Sequence, residues 1–314
     1  MSNHQWNLRI LGERFAEPGE VPGRTPDFAI IGAAKAGTSA LAIHLAEHPS
    51  VFMVPMKEIH FFDRYLDRGT EWYRAQFGAA PAETIAGEAT PVYLGDPETP
   101  ARMAAIMPDA KLIALLREPV DRAYSHYWMH RAKRPDTAEF EDLARREIEG
   151  ASRPPGHPDY LALGRYVDQL EVLVRHFPRE SVLVLLYEDF RAEPRQIFSE
   201  VCRFLGIDDT FEPQSLGQVI NPTRRARSER MRRLMLRFKL GQRLPVGLVR
   251  WLDERNRIEG YPPIDPGLER ELREWYAEPN ARLAAFLGRD LSTWERPGSA
   301  GSSGSGASRS GAIG

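Results

Sequence analysis

Short apolar runs alternate with helical patterns along most of the chain. Five apolar runs predict strands, at residues 28–31, 51–54, 85–87, 112–116 and 182–187. Apolar residues spaced three and four apart predict helices, at residues 38–47, 97–107, 120–131, 160–177 and 266–287. The runs at 112–116 and 182–187 are apolar throughout, as expected of strands that helices cover on both faces. This alternation predicts an α/β fold, with a central parallel sheet flanked by helices and a helical C-terminal part.

The composition of the two ends separates them from the folded part. Residues 1–24 carry Pro, Gly and charge with little periodicity, and residues 297–314 are almost all Gly, Ser and Ala. Such a tail cannot bury enough apolar surface to offset the entropy of ordering it, so we predict that it is disordered. We therefore predict an N-terminal extension at 1–24 and a single domain at 25–296.

Charge, cysteine content and the length of apolar runs indicate in which compartment the protein is expected. The formal net charge of the 314 residues is −2, so nothing attracts the chain globally to nucleic acid. A single cysteine excludes an internal disulfide framework and fits a reducing compartment. No apolar run approaches the roughly 18 residues that cross a bilayer. The sequence predicts a soluble cytoplasmic protein.

The segment FAIIGAAKAGTSAL at residues 28–41 combines the features of an anion-binding loop. An apolar run is followed by a small-residue loop with Lys35, and Thr38 and Ser39 then open a helical pattern. Backbone N–H groups in such a loop bind phosphate or sulfate groups, and the lysine adds a full positive charge. The loop is P-loop-like but not a Walker A motif, because Lys35 precedes Gly37, whereas that motif has its lysine after the second glycine. The alternative is a plain strand-to-helix turn with a solvated lysine.

A second anion site is predicted at residues 111–128, KLIALLREPVDRAYSHYW. Arg117 ends a buried strand, and Ser125 lies about two helical turns later. A guanidinium binds oxyanions through two parallel hydrogen bonds, and a nearby hydroxyl can share the anion. Alternatively, Arg117 pairs with Asp121 and Ser125 only occupies a helix. Enzymes that transfer a nucleotide γ-phosphate need a carboxylate for Mg²⁺. The strand ends in arginine instead, which indicates a nucleotide with two separate anionic groups.

Together, the two motifs resemble those of sulfotransferases that use 3′-phosphoadenosine 5′-phosphosulfate (PAPS). GAAKAGTSAL is similar to the 5′-phosphosulfate loop of that family, and LLREPVDRAYSHY is similar to its 3′-phosphate motif. Further segments resemble the heparan sulfate N- and O-sulfotransferase branch and its bacterial relatives: KEIHFFDR (57–64), GEATPVYL (87–94), GRYVDQLEVLVRHFP (164–178), LLYEDF (185–190) and EPNARLAAFLGRDLSTW (278–294). The resemblance covers about residues 26–296, with the motifs in the family's order.

The resemblance implies which residues bind PAPS, and it implies no metal ion. Lys35 would contact the bridging and sulfonate oxygens of the phosphosulfate group. The other implied positions are Ala36, Gly37, Thr38 and Ser39 at the 5′-phosphate, Arg117 and Ser125 at the 3′-phosphate, and Tyr166 close to the nucleotide. Eukaryotic members also have a Lys-Gly-Arg loop that closes on the nucleotide. Here Arg257 stands where that lysine is, and Glu259 stands where the arginine is.

The resemblance also implies how the reaction is catalysed. Sulfuryl transfer is expected to proceed in line, as phosphoryl transfer does, with positioning and electrostatics dominating. Lys35 would offset charge on the departing phosphate oxygen, and Glu88 matches the general base that accepts the acceptor's proton. Lys57, His60 and Asp63 match the segment lining the acceptor pocket, and His60 is the rival base. The residue types alone leave open a salt bridge or helix cap for Glu88 and a structural hydrogen bond for His60.

Residues 223–257 form a basic segment, with 12 Arg and Lys against 3 Asp and Glu. Within it, Met231, Leu234, Met235 and Phe238 fall on one face of a helical pattern. Three interpretations are open. The apolar face packs on the core with the arginines in water, or the segment helps to cover the nucleotide or an acidic acceptor, or it rests on an anionic membrane.

The sequence therefore predicts a PAPS-dependent sulfotransferase. Its acceptor is expected to be a hydroxyl, or an amine, of a glycan, a lipid or another small molecule such as a secondary metabolite. Two other classes stay open. One is a P-loop nucleoside or sugar kinase, which would need ATP and Mg²⁺. The other is a non-catalytic nucleotide-binding protein.

Overall fold

The computed structural model describes residues 15–19, 23–134, 137–152, 154, 156–218, 224–226 and 257–295. Its centre is a parallel sheet whose strands are β1 Phe28–Gly32, β2 Val51–Met53, β3 Ile85–Ala89, β4 Lys111–Leu116 and β5 Val182–Leu186. The strand order is β2-β3-β1-β4-β5, and each neighbouring pair runs parallel. The predicted α/β sheet and its five predicted strands are confirmed.

Helices flank this sheet and follow its strands. They are α1 Thr38–Glu47, α2 Thr70–Ala75, α3 Thr99–Ile106, α4 Pro119–Lys133, α5 Phe140–Ile148, α6 Tyr166–Leu173, α7 Tyr187–Ala192, α8 Pro194–Leu205 and α9 Pro266–Leu287. Helices α1 and α9 have the predicted bounds, and α3 and α4 lie within a few residues of theirs. The predictions omit α2, α5, α7 and α8.

The predicted helix at 160–177 is shorter in the structure. A 3₁₀ turn at Ala162–Gly164 precedes α6, which begins only at Tyr166. Gly164 lies so close to its neighbours that an added Cβ would be 2.7 Å from the Tyr276 hydroxyl and 2.9 Å from the Cβ of Pro119. The backbone leaves helical geometry at the next residue, Arg165, with φ −81° and ψ 63°, so the turn and α6 do not join into one helix.

Two apolar clusters form the interior. The larger one lies on both faces of the sheet, and all five residues of β1 are buried, as the apolar runs predicted. The smaller cluster joins α4, α5 and α9 through aromatic and aliphatic residues, among them Tyr124, Tyr127, Phe140, Leu272 and Tyr276. The second cluster fixes α4 and α9 relative to each other, and α4 carries the second predicted anion site.

The predicted ends and basic segment lie largely outside the described residues. Within the basic segment, only β6 Arg224–Ala226 and the end at Arg257 are described, and β6 pairs antiparallel with β7 Arg257–Glu259. The helical pattern of that segment and the tail at 297–314 lie outside. Part of the predicted N-terminal extension packs on α2, where Ala16 and Gln76 exchange hydrogen bonds of 3.0 and 2.9 Å. No helix in the described ranges is both long and apolar enough to cross a membrane.

The strand order creates a crevice at the carboxyl edge of the sheet. After β1 the chain crosses to β2 and β3 on one side, and it then returns to β4 on the other side. Ligands in open parallel sheets bind where the connections diverge in this way. The loop that follows β1 and Arg117, which follows β4, both lie at this edge.

Candidate active site

The loop after β1 has the backbone of an anion site. Lys35 has φ 77° and Gly37 has φ 94°, so both adopt left-handed conformations. Gly37 precedes α1 and provides no side-chain cap, which leaves the first N–H groups of that helix without intrahelical partners. A Cβ at Gly37 would lie 3.0 Å from the ring of Tyr187, so the glycine allows the loop to pack on that ring. This geometry presents N–H donors and the helix dipole to an anion.

Arg117 joins the two predicted anion motifs directly. Its Nη1 donates to the carbonyl oxygen of Lys35 at 3.3 Å, and its guanidinium lies over the ring of Tyr187 at 5.0 Å. Nη2 pairs with Asp121 at 3.4 Å, so the alternative pairing is also present, at a long distance. Nε is buried and has no hydrogen-bond partner among the described residues. The guanidinium is therefore held against the loop, and 21% of the side chain remains exposed.

Tyr166 is buried and forms a hydrogen bond to the backbone of Arg117. Its side chain is only 1% exposed, and its hydroxyl donates to the carbonyl oxygen of Arg117 at 2.8 Å. Its ring packs edge-on against Trp294. Tyr166 therefore fixes the end of β4, which makes it a positioning residue, and its predicted place close to the nucleotide stays a prediction.

Ser125 lies on the second turn of α4, as predicted. It is 3% exposed, and its hydroxyl lies 3.5 Å from the hydroxyl of Tyr261. The ring of Tyr261 stacks on Trp128 at 5.6 Å with an interplanar angle of 10°. Sequence reasoning assigned no role to Tyr261, although it follows the segment at 257–259 that resembles the nucleotide-covering loop. The side chain of Arg257 lies outside the described part, so its predicted role stays a prediction.

Lys57, predicted to line the acceptor pocket, contacts the first turn of α1 in the structure. Its Nζ donates to the hydroxyl of Ser39, the second residue of α1. Burial lowers the pKa of Lys35, and the positive charges of Arg117, Lys57 and Lys133 lower it further. Several cations therefore converge on the amino end of one helix. Such a cluster is favourable when an anion is bound among them.

His60 lies between two carboxylates. Its Nε2 is 3.1 Å from Glu58, and its Nδ1 is 3.0 Å from Asp63. Burial alone would lower the pKa of His60, but its hydrogen bonds to Asp63 and Glu58 outweigh burial and raise the pKa to about 9. A protonated imidazole cannot accept a proton, so the geometry does not favour His60 as the base.

We expect His60 to stay protonated at pH 7.5. Because its pKa in the folded protein lies above the ordinary 6.5, its contribution to the free energy of unfolding is complete below pH 6.5. That contribution is lost as the pH rises through about 9. NMR titration of its Cε1–H resonance measures this directly. Asp63→Asn should lower the midpoint, and a midpoint near 6.5 in the unsubstituted protein would contradict the assignment.

Glu88 lies in an enclosed position that conflicts with its predicted role as general base. It is 0% exposed, and its two oxygens accept hydrogen bonds from Tyr73 at 2.7 Å and from Thr90 at 2.6 Å. Burial raises the pKa of Glu88 to about 7. The raised pKa suits proton transfer, but an acceptor hydroxyl has no exposed carboxylate oxygen to reach.

Sequence reasoning missed Glu58, which lies in the same segment as Lys57 and His60. Its side chain is 31% exposed, and its charge raises the pKa of Lys35 against the stronger effect of burial. The available signal was its position, because it is the carboxylate nearest in sequence to those two predicted site residues. The structure therefore brings together, at one edge of the sheet, Lys35, Ser39, Lys57, Glu58, His60, Asp63 and Arg117.

Comparison with known proteins gives consistent matches. The sulfotransferase domain family matches residues 25–235. Human heparan sulfate glucosamine 3-O-sulfotransferase 3B1 is 33% identical over 270 residues, which are 85% of this chain and 64% of that protein. Human heparan sulfate glucosamine 3-O-sulfotransferase 6 is 36% identical over 272 residues, 86% of this chain and 75% of that protein. The chain thus spans less than two thirds of the length of the 3B1 relative.

A solved structure is similar over most of the chain. The crystal structure of a sulfotransferase from Alicyclobacillus acidocaldarius is 31% identical in sequence and has a TM-score of 0.65. The match covers 87% of this chain and 100% of that one. The sheet and its carboxyl edge thus belong to an architecture that this sulfotransferase structure shares.

Proposed function

This chain belongs to the sulfotransferase family, and on that premise we propose that it transfers the sulfuryl group of PAPS to a hydroxyl group of a glycan. The observation that carries the proposal is the hydrogen bond from Arg117 to the carbonyl oxygen of Lys35. It couples an arginine to the uncapped amino end of α1, so two anion-binding groups lie at one edge of the sheet.

The residues at this edge fit a nucleotide that carries anionic groups at both its 5′ and 3′ ends. The N–H groups of the β1 loop, with Lys35 and Ser39, would hold the 5′-phosphosulfate. Arg117, whose side chain is 21% exposed, would hold the 3′-phosphate together with Ser125. Tyr166 would keep Arg117 in place through its carbonyl oxygen.

We propose that Glu58, rather than Glu88, accepts the proton of the acceptor hydroxyl. When bound, PAPS supplies an activated sulfuryl group, whose bond to the 5′-phosphate breaks as the acceptor oxygen bonds to sulfur. Lys35 offsets the charge that develops on the phosphate oxygen. The protonated ring of His60 donates to Glu58 and holds that carboxylate in place. The partial exposure of Glu58 supports this assignment, because the hydroxyl must reach the base.

The glycan acceptor is proposed from the relatives. Two of them are named for transfer to the 3-O position of heparan sulfate glucosamine, and both match at least 85% of this chain. Acceptor pockets are built from loops that vary within one fold, so lipid and secondary-metabolite alcohols belong in the same assay. Transfer of labelled sulfate to defined glycans, with those alcohols as comparison acceptors, tests whether the acceptor is a glycan.

Arg117→Ala should weaken the binding of 3′-phosphoadenosine 5′-phosphate (PAP) by roughly 10- to 100-fold, because a charged hydrogen-bond pair to phosphate is lost. Isothermal titration measures the Kd with and without Mg²⁺. Arg195→Ala, which removes an exposed arginine on α8, is the matched control and should leave the Kd unchanged. Preference of the unsubstituted protein for ATP and Mg²⁺ over PAP would contradict the proposed donor and favour a kinase.

A further inference from the structure

Lys57 occupies an unfavourable electrostatic position for a lysine. Its ammonium donates to the hydroxyl of Ser39, at the second position of α1. The amino end of a helix carries partial positive charge, which disfavours a lysine there. The Glu58 carboxylate offsets this only in part, since burial still lowers the pKa of Lys57 below its ordinary value. Lys35 and Arg117 add two more positive charges to the same place.

The hydrogen-bond chemistry of this contact leaves donors for a ligand. The Ser39 oxygen accepts from Lys57, so its own O–H is free to donate to another acceptor. An ammonium has three N–H donors, and Ser39 takes one of them. A hydroxyl that accepts from a cation is also polarised and donates more strongly.

We propose that Lys57 is a donor-binding residue, whose ammonium acts with the Ser39 hydroxyl to bind the 5′-phosphosulfate end of the nucleotide. This inference rests on the proposed function and deepens it, since the sequence resemblance placed Lys57 only in the acceptor pocket. The contact spans 18 positions in sequence and joins the β1 loop to the segment that carries Glu58 and His60. Lys57 therefore links donor binding to the placement of the proposed base.

The test compares two nucleotides that differ only at the 5′ end, and it needs no acceptor. Lys57→Met should raise the Kd for PAP by roughly 10- to 100-fold, as expected when a charged hydrogen bond is lost. The Kd for adenosine 3′-monophosphate, which lacks the 5′-phosphate, should stay unchanged. Arg64→Met, which removes an exposed arginine of the same segment, should change neither Kd.

Further variants separate binding from structural damage. Lys57→Arg should restore part of the PAP affinity, and the effects of Lys57→Met and Ser39→Ala should be non-additive because the two groups act together. Unchanged PAP binding in Lys57→Met, or an equal loss for both nucleotides, would overturn the inference. If the proposed function itself is wrong, the result differs from both of these outcomes. The unsubstituted protein would then bind neither nucleotide, and Arg117→Ala would have no effect.

Discussion

Glu58→Gln is expected to lower kcat by about 10²- to 10⁴-fold, the usual contribution of a positioned general base. The substitution keeps the size of the side chain and removes the carboxylate. Glu58 is 31% exposed and lies 3.1 Å from Nε2 of His60, so it is both reachable and oriented. PAP binding should be almost unchanged, because the base contacts the acceptor rather than the nucleotide. Steady-state kinetics with labelled PAPS and isothermal titration with PAP separate these two effects.

Glu88→Gln is the matched control for this experiment, and it should retain activity within a few-fold. The Tyr73 and Thr90 hydroxyls can still bond to a buried amide in place of the carboxylate. Because burial raises the pKa of Glu88 from 4.5 to about 7, the free energy of unfolding should fall as the pH rises across that interval. Glu88→Gln should remove this fall, as thermal melts at several pH values would show. Loss of activity in Glu88→Gln with full activity in Glu58→Gln would restore the prediction made from the sequence.

The fold was predictable because its strands are buried on both faces. Strands such as β1 and β4 are almost wholly apolar, and the helix after β1 has clear apolar spacing and a glycine before it. Helices α2 and α7 each have six residues, too few for a periodic pattern to be recognised. The pattern at 160–177 is divided at Arg165, whose backbone leaves helical geometry before α6, and the apolar spacing does not show this break.

The site was predictable where one short segment carries the whole motif. The β1 loop and Arg117 have their partners within a few residues or at the same edge of the sheet. The choice between Glu58 and Glu88 was not predictable, since β3 is buried on both faces and its sequence does not show which way Glu88 points. The contact between Lys57 and Ser39 depends on the path of the chain after β2.

The helical part of the basic segment at 223–257 lies outside the described residues. The cytoplasmic location and the role of Arg257 stay predictions. Strands β6 and β7 pair antiparallel, so the two described ends of that segment lie side by side, and Tyr261 follows β7. This arrangement bears on the nucleotide-covering interpretation, because Tyr261 contacts Ser125 of the second anion site.

Lys35→Met should lower kcat by about 10²- to 10³-fold. This is the loss usually seen when a group that stabilises charge in the transition state is removed. The loss should be larger in kcat than in PAP affinity, because charge develops on the phosphate oxygen only as the bond to sulfur breaks. Lys111→Met removes a lysine at the opposite edge of the sheet, where its Nζ donates to the carbonyl oxygen of Phe204, and should leave kcat unchanged. Equal losses in kcat and PAP affinity would mean that Lys35 only binds the nucleotide.

The pH dependence of Lys35 gives this prediction a second, independent readout. Burial, with the charges of Arg117 and Lys57, lowers the pKa of Lys35 below its ordinary 10.5, so the ammonium is lost at a lower pH than in a free lysine. The pH profile of kcat/KM for PAPS reports ionisations of the free enzyme. We therefore expect kcat/KM to decrease at alkaline pH, with a midpoint below 10.5. Lys57→Met removes one positive neighbour and should move this fall to higher pH. Lys35→Arg keeps its charge over the whole range and should remove the part of the fall that belongs to Lys35. An unchanged alkaline limb in that variant would assign the ionisation to another group, such as His60 with its pKa of about 9.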